Sequence, residues 1–354
     1  MMLPLVCLAA ALTCAAEMER IAVSDDGRGF VFAESRRPFV VRGFNYDHDE
    51  RGRLLEDYWV DEWPKVAEDF AEMRELGATV VRVHLQFGKF METADRPNAA
   101  AVERLQKLLA LAERERLYLD LTGLGCYHKA DVPAWYDALD EEARWNAQAK
   151  FWEVIAAACA KSPAVFCYDL MNEPIVPAGK RAANDWLGPA FGGKHFVQLI
   201  ALTQGDRTRP AIARAWIEKL AAAVRKQDAK RLVTVGLVDW SLDRPGLTSG
   251  FVPKEVAGPL DFVCVHLYPE TGKGAEAIET LKAFGVGKPV VIEETFPLKS
   301  SLAEFEQFLD DAQPHSAGVI GFYWGKPPAE LKKSTEIGDA ILLRWLELFQ
   351  QRAR

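Results

Sequence analysis

Eight short apolar segments, each followed by a stretch with helical periodicity, constrain the fold of this chain more than any other feature. Short apolar runs bounded by Gly, Pro or polar residues are typical of buried strands, and longer amphipathic stretches are typical of helices. Because eight such units alternate without interruption, the sequence predicts a closed (β/α)8 barrel, the TIM barrel. The predicted strands cover residues 38–45, 78–87, 117–122, 164–171, 231–238, 261–267, 289–294 and 318–324.

A doubly wound open sheet is the structural alternative. It would have fewer strands and a glycine-rich turn after the first one, whereas Gly43 stands alone there, so a dinucleotide fingerprint is absent. Two further segments surround the repeat. Residues 19–35 contain a hairpin signature around Asp25-Asp26-Gly27 and are predicted to plug one end of the barrel. Residues 175–208 form a long connection after strand four, with a short helix predicted over 195–202.

The first sixteen residues differ from the rest. Residues 1–16 form an apolar run that is too short to span a bilayer and ends in small residues, which predicts a secretory signal and a secreted or periplasmic location. The run lacks the usual Lys or Arg, and lipidation at Cys14 is the alternative. Residues 17–354 are predicted to form a single barrel domain, since such barrels take about 250 residues plus insertions.

Composition excludes several classes of protein. A formal net charge of -8 argues against nucleic acid as a partner, which would require a basic stripe. No segment after the leader is apolar and long enough for a membrane span, so no membrane partner is expected, and the chain is expected to be a monomer. Beyond the leader four cysteines remain, Cys126, Cys159, Cys167 and Cys264, predicted as buried thiols, with a Cys126–Cys159 bridge as the alternative.

Polar residues occupy one face of two predicted strands. In the second strand Arg82 and His84 alternate with valines and a leucine, and in the sixth strand His266 and Tyr268 do the same. The face toward the helices should be apolar, so these polar side chains are predicted to point to the barrel axis. Because buried polar groups are costly unless hydrogen-bonded, a shared polar site is expected there.

Two predicted strands end in acidic residues. The fourth is followed by Asn172-Glu173-Pro174, and the seventh ends with Glu293 and Glu294. Strands four and seven lie across a barrel mouth from one another, and active sites occupy the carboxyl ends of barrel strands. Hydrolysis of a glycosidic bond requires two such carboxyl groups, one as acid and one as nucleophile or base. Strand alternation by itself leaves Glu293 and Glu294 both open as the second carboxylate.

These motifs, in this order, resemble glycoside hydrolase family 5, a member of the clan of retaining (β/α)8 hydrolases. The resemblance covers roughly residues 30–324 and rests on short motifs whose order and placement are specific: Gly43-Phe44-Asn45, Arg82, Asn172-Glu173-Pro174, His266-Leu267-Tyr268, Lys288-Pro289 ahead of Glu294, and Trp324. It implies a glycoside hydrolase catalytic domain over residues 17–354.

The resemblance also implies roles for individual residues. Glu173 would be the acid/base and Glu294 the nucleophile. Asn172 would bind the sugar hydroxyl beside the reacting carbon, and Trp324 would stack under the reacting sugar. The remaining site residues would position these groups or bind substrate: Arg82 and Tyr268 on the nucleophile, His266 near the acid/base, with His84, Asn45 and Trp240 as further substrate-site residues. Arg82 is expected to keep Glu294 ionised, and apolar surroundings to keep Glu173 protonated.

Several residues depart from this pattern or are interpreted as structural. The family often has Asp-Leu-His at the end of strand three, where this chain has Asp120-Leu121-Thr122. Glu293 occupies the position before the nucleophile that is often Gly. Asp120 and Asp169 lie inside strands and are interpreted as structural, paired with Arg or backbone groups.

The sequence therefore predicts an exported retaining β-glycosidase whose partner is a β-linked glycan, favouring an endo-β-1,4-glucanase or β-mannanase. No cofactor or metal is expected, because no cluster has metal-ligand spacing and the mechanism requires none. A non-catalytic carbohydrate-binding relative and a barrel enzyme of another chemistry are the alternatives.

Overall fold

The computed structural model describes residues 17–182, 184–242, 244, 247–322 and 324–353. The predicted export signal, residues 1–16, lies outside the described residues. Eight parallel strands form the central sheet: β1 Val41–Tyr46, β2 Val80–Gln86, β3 Tyr118–Gly125, β4 Val165–Asn172, β5 Leu232–Gly236, β6 Val263–His266, β7 Val290–Glu294 and β8 Gly318–Gly321.

The sheet closes into a barrel. Its strands are hydrogen-bonded in the order β5-β4-β3-β2-β1-β8-β7-β6. Between β5 and β6 the Asp261 N–H donates to the Val233 carbonyl at 2.9 Å, and the His266 N–H donates to the Leu237 carbonyl at 2.7 Å. The (β/α)8 prediction is confirmed, and the carboxyl ends of all eight strands meet at one mouth.

Helices follow each strand. The principal ones are Trp63–Glu75, Ala99–Glu115, Glu141–Cys159, Arg209–Gln227, Pro253–Val256, Gly274–Ala283, Leu302–Ala312 and Ile337–Ala353. Shorter ones are Leu55–Tyr58, Phe87–Phe90, Ala134–Asp137 and Pro328–Leu331, with 3-10 turns at Lys129–Asp131, Asp239–Ser241 and Gln313–His315. Val81, Val83 and Leu85 of β2 are fully buried in the apolar layer shared with these helices. Arg82 and His84 lie on the opposite face, inside the barrel, as the alternation predicts.

The amino-terminal hairpin closes the other end of the barrel. Residues Ile21–Val23 and Phe30–Phe32 pair antiparallel, and Pro38–Phe39 adds a third strand. The Phe30 ring lies 5.1 Å from that of Phe166, near the start of β4. This apolar plug excludes water from the bottom of the barrel, so the open mouth is at the carboxyl ends of the strands.

The connection after β4 differs from the prediction. Instead of a helix over residues 195–202, it contains a two-residue strand, Gln198–Leu199, parallel to Pro174–Ile175. The Ile200 N–H donates to the Ile175 carbonyl at 3.0 Å, so hydrogen bonds to another segment replace helical ones.

The four cysteines beyond the leader lie in the interior of the protein. Cys126, Cys159, Cys167 and Cys264 are all buried thiols with no disulfide between them. Within the described part of the chain, no helix has the length and apolarity to cross a bilayer.

Candidate active site

Glu173 and Glu294 face each other across the barrel mouth. Glu173 directly follows β4 and Glu294 is the last residue of β7. One carboxylate oxygen of each, together with a ring nitrogen of His266, forms a group in which all atoms lie within 4.8 Å of one another. The side chains are 19% and 9% exposed, respectively, so each carboxylate is mostly shielded from water.

Glu173 is held in a strained backbone conformation at the end of β4. Its φ is +46°, in the left-handed region that non-glycine residues rarely occupy, and its N–H donates to the Gly236 carbonyl of β5 at 3.0 Å. His266 Nδ1 lies 2.9 Å from Glu173 Oε1. The expectation of apolar surroundings for Glu173 is therefore wrong, because a buried imidazole contacts the carboxylate directly.

Arg82 joins both sides of the site from the barrel axis. Its Nη1 donates to Glu294 Oε1 at 2.6 Å and to Asn45 Oδ1 at 2.8 Å. Its Nη2 donates to Asp169 Oδ2 at 2.7 Å and to Asn172 Oδ1 at 3.0 Å. Burial opposes the guanidinium charge, but the carboxylates of Glu293, Asp169 and Glu294 raise the pKa of Arg82 above its usual value. Arg82 is therefore a permanent cation that fixes these side chains.

Glu294 is held by two donors. The Tyr268 hydroxyl donates to its Oε2 at 2.8 Å, and Arg82 donates to its Oε1. Burial raises the pKa of Glu294, whereas the charges of His266 and Arg82 lower it, and burial outweighs them. Arg82 thus offsets only part of the effect of burial on the pKa of Glu294. The sequence led us to expect a larger effect of Arg82.

Glu293 is a second buried acid below the mouth. It is fully buried, with Cys264 Sγ donating to Oε1 at 2.9 Å and His266 Nε2 lying 3.4 Å from Oε2. A register shift between β6 and β7 pairs His266 with Glu294. Burial would raise the pKa of Glu293, but Arg82 and His266 lower it to about 2. Of the two adjacent glutamates, Glu294 reaches the mouth and Glu293 does not.

The imidazole of His266 connects these acids. Burial would lower its pKa, but Glu294, Glu173 and Glu293 raise it from the usual 6.5 to about 10. His266 is thus an imidazolium at neutral pH, and both of its ring N–H groups can donate, one toward Glu173 and the other toward Glu293.

The charge pairing between His266 and Glu293 predicts a specific pH dependence of stability. Because the folded-state pKa of His266 lies above 6.5, its contribution to the free energy of unfolding is complete below pH 6.5 and disappears as the pH rises through about 10. In a Glu293→Gln variant, the free energy of unfolding should fall by less as the pH rises, and the fall should be complete at a lower pH. Urea unfolding across this pH range measures both. Glu306→Gln, at an exposed helical position, is the control. Parallel pH profiles for wild type and Glu293→Gln would contradict the pairing.

Three other predicted site residues lie deeper than expected. Asn45 is fully buried and donates to the Glu293 carbonyl at 2.9 Å, and His84 Nδ1 lies 2.5 Å from the Tyr127 hydroxyl. Trp324 is 1% exposed and packs 5.6 Å from Phe44. Its predicted stacking beneath a sugar is at odds with this burial, because an enclosed ring offers no free face. Trp240, in contrast, is half-buried and lines the open cleft.

Several positioning contacts escaped the sequence reasoning. Thr122, which stands where the family often has His, donates to Asp169 Oδ2 at 2.8 Å, and the Gly236 N–H donates to Asp169 Oδ1 at 2.7 Å. The structural interpretation of Asp169 is confirmed. A Cβ at Gly236 would lie 2.9 Å from His266 Nε2, which is too close for any residue with a side chain. The glycine at the end of β5 was therefore the sequence feature that could have indicated these contacts. Asp120 differs, since its fully buried carboxyl group lies beside the acids Asp169 and Glu293, and burial together with their charges raises its pKa well above the usual value.

In the part of the chain that the structure describes, two groups of side chains have ligand atoms close enough for a metal. They are Glu173, His266 and Glu294 and, below them, Asp120, Asp169 and Glu293. In the first, the imidazole is held as a cation by the carboxylates. In the second, Arg82 Nη2 lies 2.7 Å from Asp169 and 3.6 Å from Glu293. Guanidinium and imidazolium charges therefore already neutralise these carboxylates, and neither group fits a cation well.

Two glutamates that face each other at the carboxyl ends of strands four and seven of a TIM barrel are the arrangement expected of a glycoside hydrolase. The family model described as Cellulase (glycosyl hydrolase family 5) matches residues 33–324. The chain belongs to this family of glycosidases. A search of curated proteins found no match.

Solved structures show the same fold. The exo-β-1,4-mannosidase Op5Man5 from Opitutaceae bacterium strain TAV5 superposes with a TM-score of 0.64 at 17% identity, covering 94% of this chain and 63% of that one. The endo-1,4-β-mannanase from Rhizomucor miehei gives 0.64 at 16% identity, covering 94% and 100%. The β-mannanase from the blue mussel Mytilus edulis gives 0.61 at 17% identity, covering 95% and 97%. The chain thus spans less than two thirds of the bacterial mannosidase.

Proposed function

We propose that the chain is a retaining β-glycoside hydrolase that cleaves a β-1,4-linked mannan or glucan by double displacement. The spacing of the two carboxylates is the observation that carries this proposal. Oxygens of Glu173 and Glu294 lie within 4.8 Å of each other. Retaining enzymes have carboxyl groups about 5 to 5.5 Å apart, whereas inverting enzymes need about 6.5 to 9.5 Å to admit a water.

The first step would form a covalent intermediate. Glu294 Oε attacks the anomeric carbon while Glu173 passes a proton to the glycosidic oxygen, and the leaving sugar departs as an alcohol. That proton comes from the His266 imidazolium, whose Nδ1 lies 2.9 Å from Glu173 Oε1. Arg82 and Tyr268 direct the attacking carboxylate through their hydrogen bonds of 2.6 and 2.8 Å. Asn172, bonded to Arg82, would meet the hydroxyl beside the reacting carbon.

The second step would release the sugar. Glu173, now a carboxylate, removes a proton from water as the water attacks the anomeric carbon of the glycosyl ester, which restores Glu294. His266, 2.9 Å from Glu173, orients its carboxyl group in both steps and takes the proton back at the end of the second. Two inversions give overall retention of the β configuration.

Substrate class is inferred from the comparisons. Three structurally similar enzymes are named as mannanases or a mannosidase, which supports a β-mannoside, while the cellulase family model supports a β-glucan. That both glutamates face one mouth favours hydrolysis over a non-catalytic sugar-binding role. We further propose that the enzyme is exported by its leader and acts as a monomer.

The stereochemistry of the first product tests the proposal. Wild-type enzyme incubated with β-1,4-manno- and cello-oligosaccharides should release the β anomer first, seen by proton NMR before mutarotation. The Glu173→Ala protein, purified identically, controls for contaminating hydrolases. Release of the α anomer, or no hydrolysis of either series or of aryl β-glycosides, would overturn the proposed function.

A further inference from the structure

Among the described residues, the barrel mouth opens into a cleft on one side. A cleft of about 1180 Å³ lies over the carboxyl ends of β5, β6 and β7. Of the site residues, Glu173, His266, Tyr268 and Trp240 line this cleft, whereas Glu294 is not among the described residues that do. The open space therefore begins at the acid/base, and Tyr268, which donates to Glu294, forms its edge toward the nucleophile.

Beside this cleft, the mouth is crossed by a segment of the β4 connection, residues 191–197, here named the cross-mouth segment. Its last residue, Val197, lines the edge of the cleft, and the rest of the segment runs toward the loops after β3 and β1. The Phe196 ring packs 5.0 Å from Tyr127, and the His195 N–H donates to the Tyr127 carbonyl at 2.9 Å. Lys194 of the same segment is buried, with 7% of its surface exposed. Its Nζ lies beside Gly52 in the loop after β1, 3.4 Å from the position that a Cβ on this glycine would take. The segment thus joins the end of β4 to the loops after β3 and β1.

Two contacts show how close this closure comes to the reacting groups. The Phe196 carbonyl accepts a hydrogen bond of 3.0 Å from Asn172 Nδ2. Asn172 is adjacent to Glu173 in sequence and is also bonded to Arg82, which holds Glu294. Beyond the segment, the ring of Phe322 after β8 lies 6.2 Å from His48 in the loop after β1. Backbone therefore abuts the side of the site opposite the open cleft.

The proposed roles of the two glutamates indicate which part of the substrate lies on each side of the mouth. The acid/base donates its proton to the leaving group, so the leaving group must lie on the side of Glu173, in the open cleft. The sugar that forms the covalent intermediate lies at Glu294 and Asn172, against the cross-mouth segment. The Phe196 carbonyl, 3.0 Å from Asn172 Nδ2, places the backbone of the cross-mouth segment directly beside this sugar.

We propose that this closure makes the enzyme act on chain ends, removing one sugar at a time from the non-reducing end of a β-1,4-linked chain held in the open cleft. The inference rests on the proposed function and replaces the endo mode that the sequence favoured. The cross-mouth segment is then the element that determines specificity, because it limits the glycone to one residue.

The first product of a defined oligosaccharide tests this. Borohydride-reduced mannohexaose and cellohexaose carry an alditol at one end, so a single hexose released with a pentasaccharide alditol identifies attack at the non-reducing end. This product should appear first, followed by successively shorter alditols. A disaccharide or trisaccharide as first product would overturn chain-end action while leaving β-glycoside hydrolysis intact. No cleavage of either oligosaccharide or of aryl β-glycosides would overturn both.

A pair of variants tests the role of the segment itself. Phe196→Gly removes the ring that anchors the segment on Tyr127, and is expected to add disaccharide to the first products. Phe191→Ala changes a ring at the exposed tip of the same segment, 74% exposed, and should leave the product pattern unchanged. Should Phe196→Gly fold, as judged by circular dichroism, and still release only single hexoses, the segment would not set the limit. Should it not fold, the wild-type product pattern decides the proposal.

Discussion

A Glu294→Ala variant is expected to lose kcat toward an aryl β-glycoside by a factor on the order of 10⁴ to 10⁶, the scale found when a covalent nucleophile is removed from an enzyme. Without the carboxylate no glycosyl ester forms, although Arg82 and Tyr268 remain to bind an anion in its place. Added azide should therefore restore part of the rate and yield the α-glycosyl azide, since azide attacks from the face that Glu294 occupied. Initial rates and NMR of the azide product measure both effects.

Direct labelling provides an independent check on the nucleophile. A 2-deoxy-2-fluoroglycosyl fluoride should form a stable ester with wild-type enzyme, and peptide fragmentation should place it on Glu294. The neighbouring Glu293 is the internal control, because it is fully buried and bonded to Cys264. A label on Glu293, or near-normal activity of Glu294→Ala, would contradict the assignment.

A Glu173→Ala variant is expected to lose turnover of natural β-glycans by about 10² to 10⁴-fold, the usual contribution of a general acid/base. An activated leaving group such as dinitrophenolate departs without protonation, so formation of the glycosyl enzyme should be nearly unaffected with that substrate. Hydrolysis of the ester then becomes limiting, and a burst of dinitrophenolate should precede a slow steady state in stopped-flow measurements.

Azide distinguishes the two carboxylates by stereochemistry. In Glu173→Ala it attacks the glycosyl enzyme from the β face, so the product should be the β-glycosyl azide, opposite to that from Glu294→Ala. Glu103→Ala, an exposed helical position, is the matched control and should behave as wild type. Full activity of Glu173→Ala on natural glycans, or an α azide from it, would remove Glu173 from the proposed role.

The amino-acid pattern anticipated the barrel because strand and helix periodicities are local properties. Alternation in β2 placed Arg82 and His84 inside the barrel and the valines outside, as the structure has them. The long connection after β4 was mispredicted as helical at 195–202, since its hydrogen bonds run to Ile175 and Trp186 rather than along itself. The local sequence of such a segment does not show which distant residues will accept its hydrogen bonds.

Ionisation in the site depends on distances that no motif encodes. Arg82 was expected to act chiefly on Glu294, yet it also donates a hydrogen bond to Asp169 and lies 3.6 Å from Glu293. His266 becomes a cation because three acids from β4 and β7 surround it. The burial of Trp324 likewise depends on Phe44 and its neighbours, which the Trp position alone did not predict.

By itself, the order of residues determined the fold class, the family and the two glutamates at the carboxyl ends of strands on opposite sides of the mouth, because periodicity and short motifs are carried by neighbours along the chain. Strand alternation left Glu293 and Glu294 both open, and the tertiary structure shows how Glu294 reaches the mouth, through the register shift between β6 and β7. It also decided that residues 191–197 close one side of the mouth, through contacts with Tyr127 and near Gly52. These outcomes depend on packing between distant segments, whose energies are set by geometry rather than by local pattern.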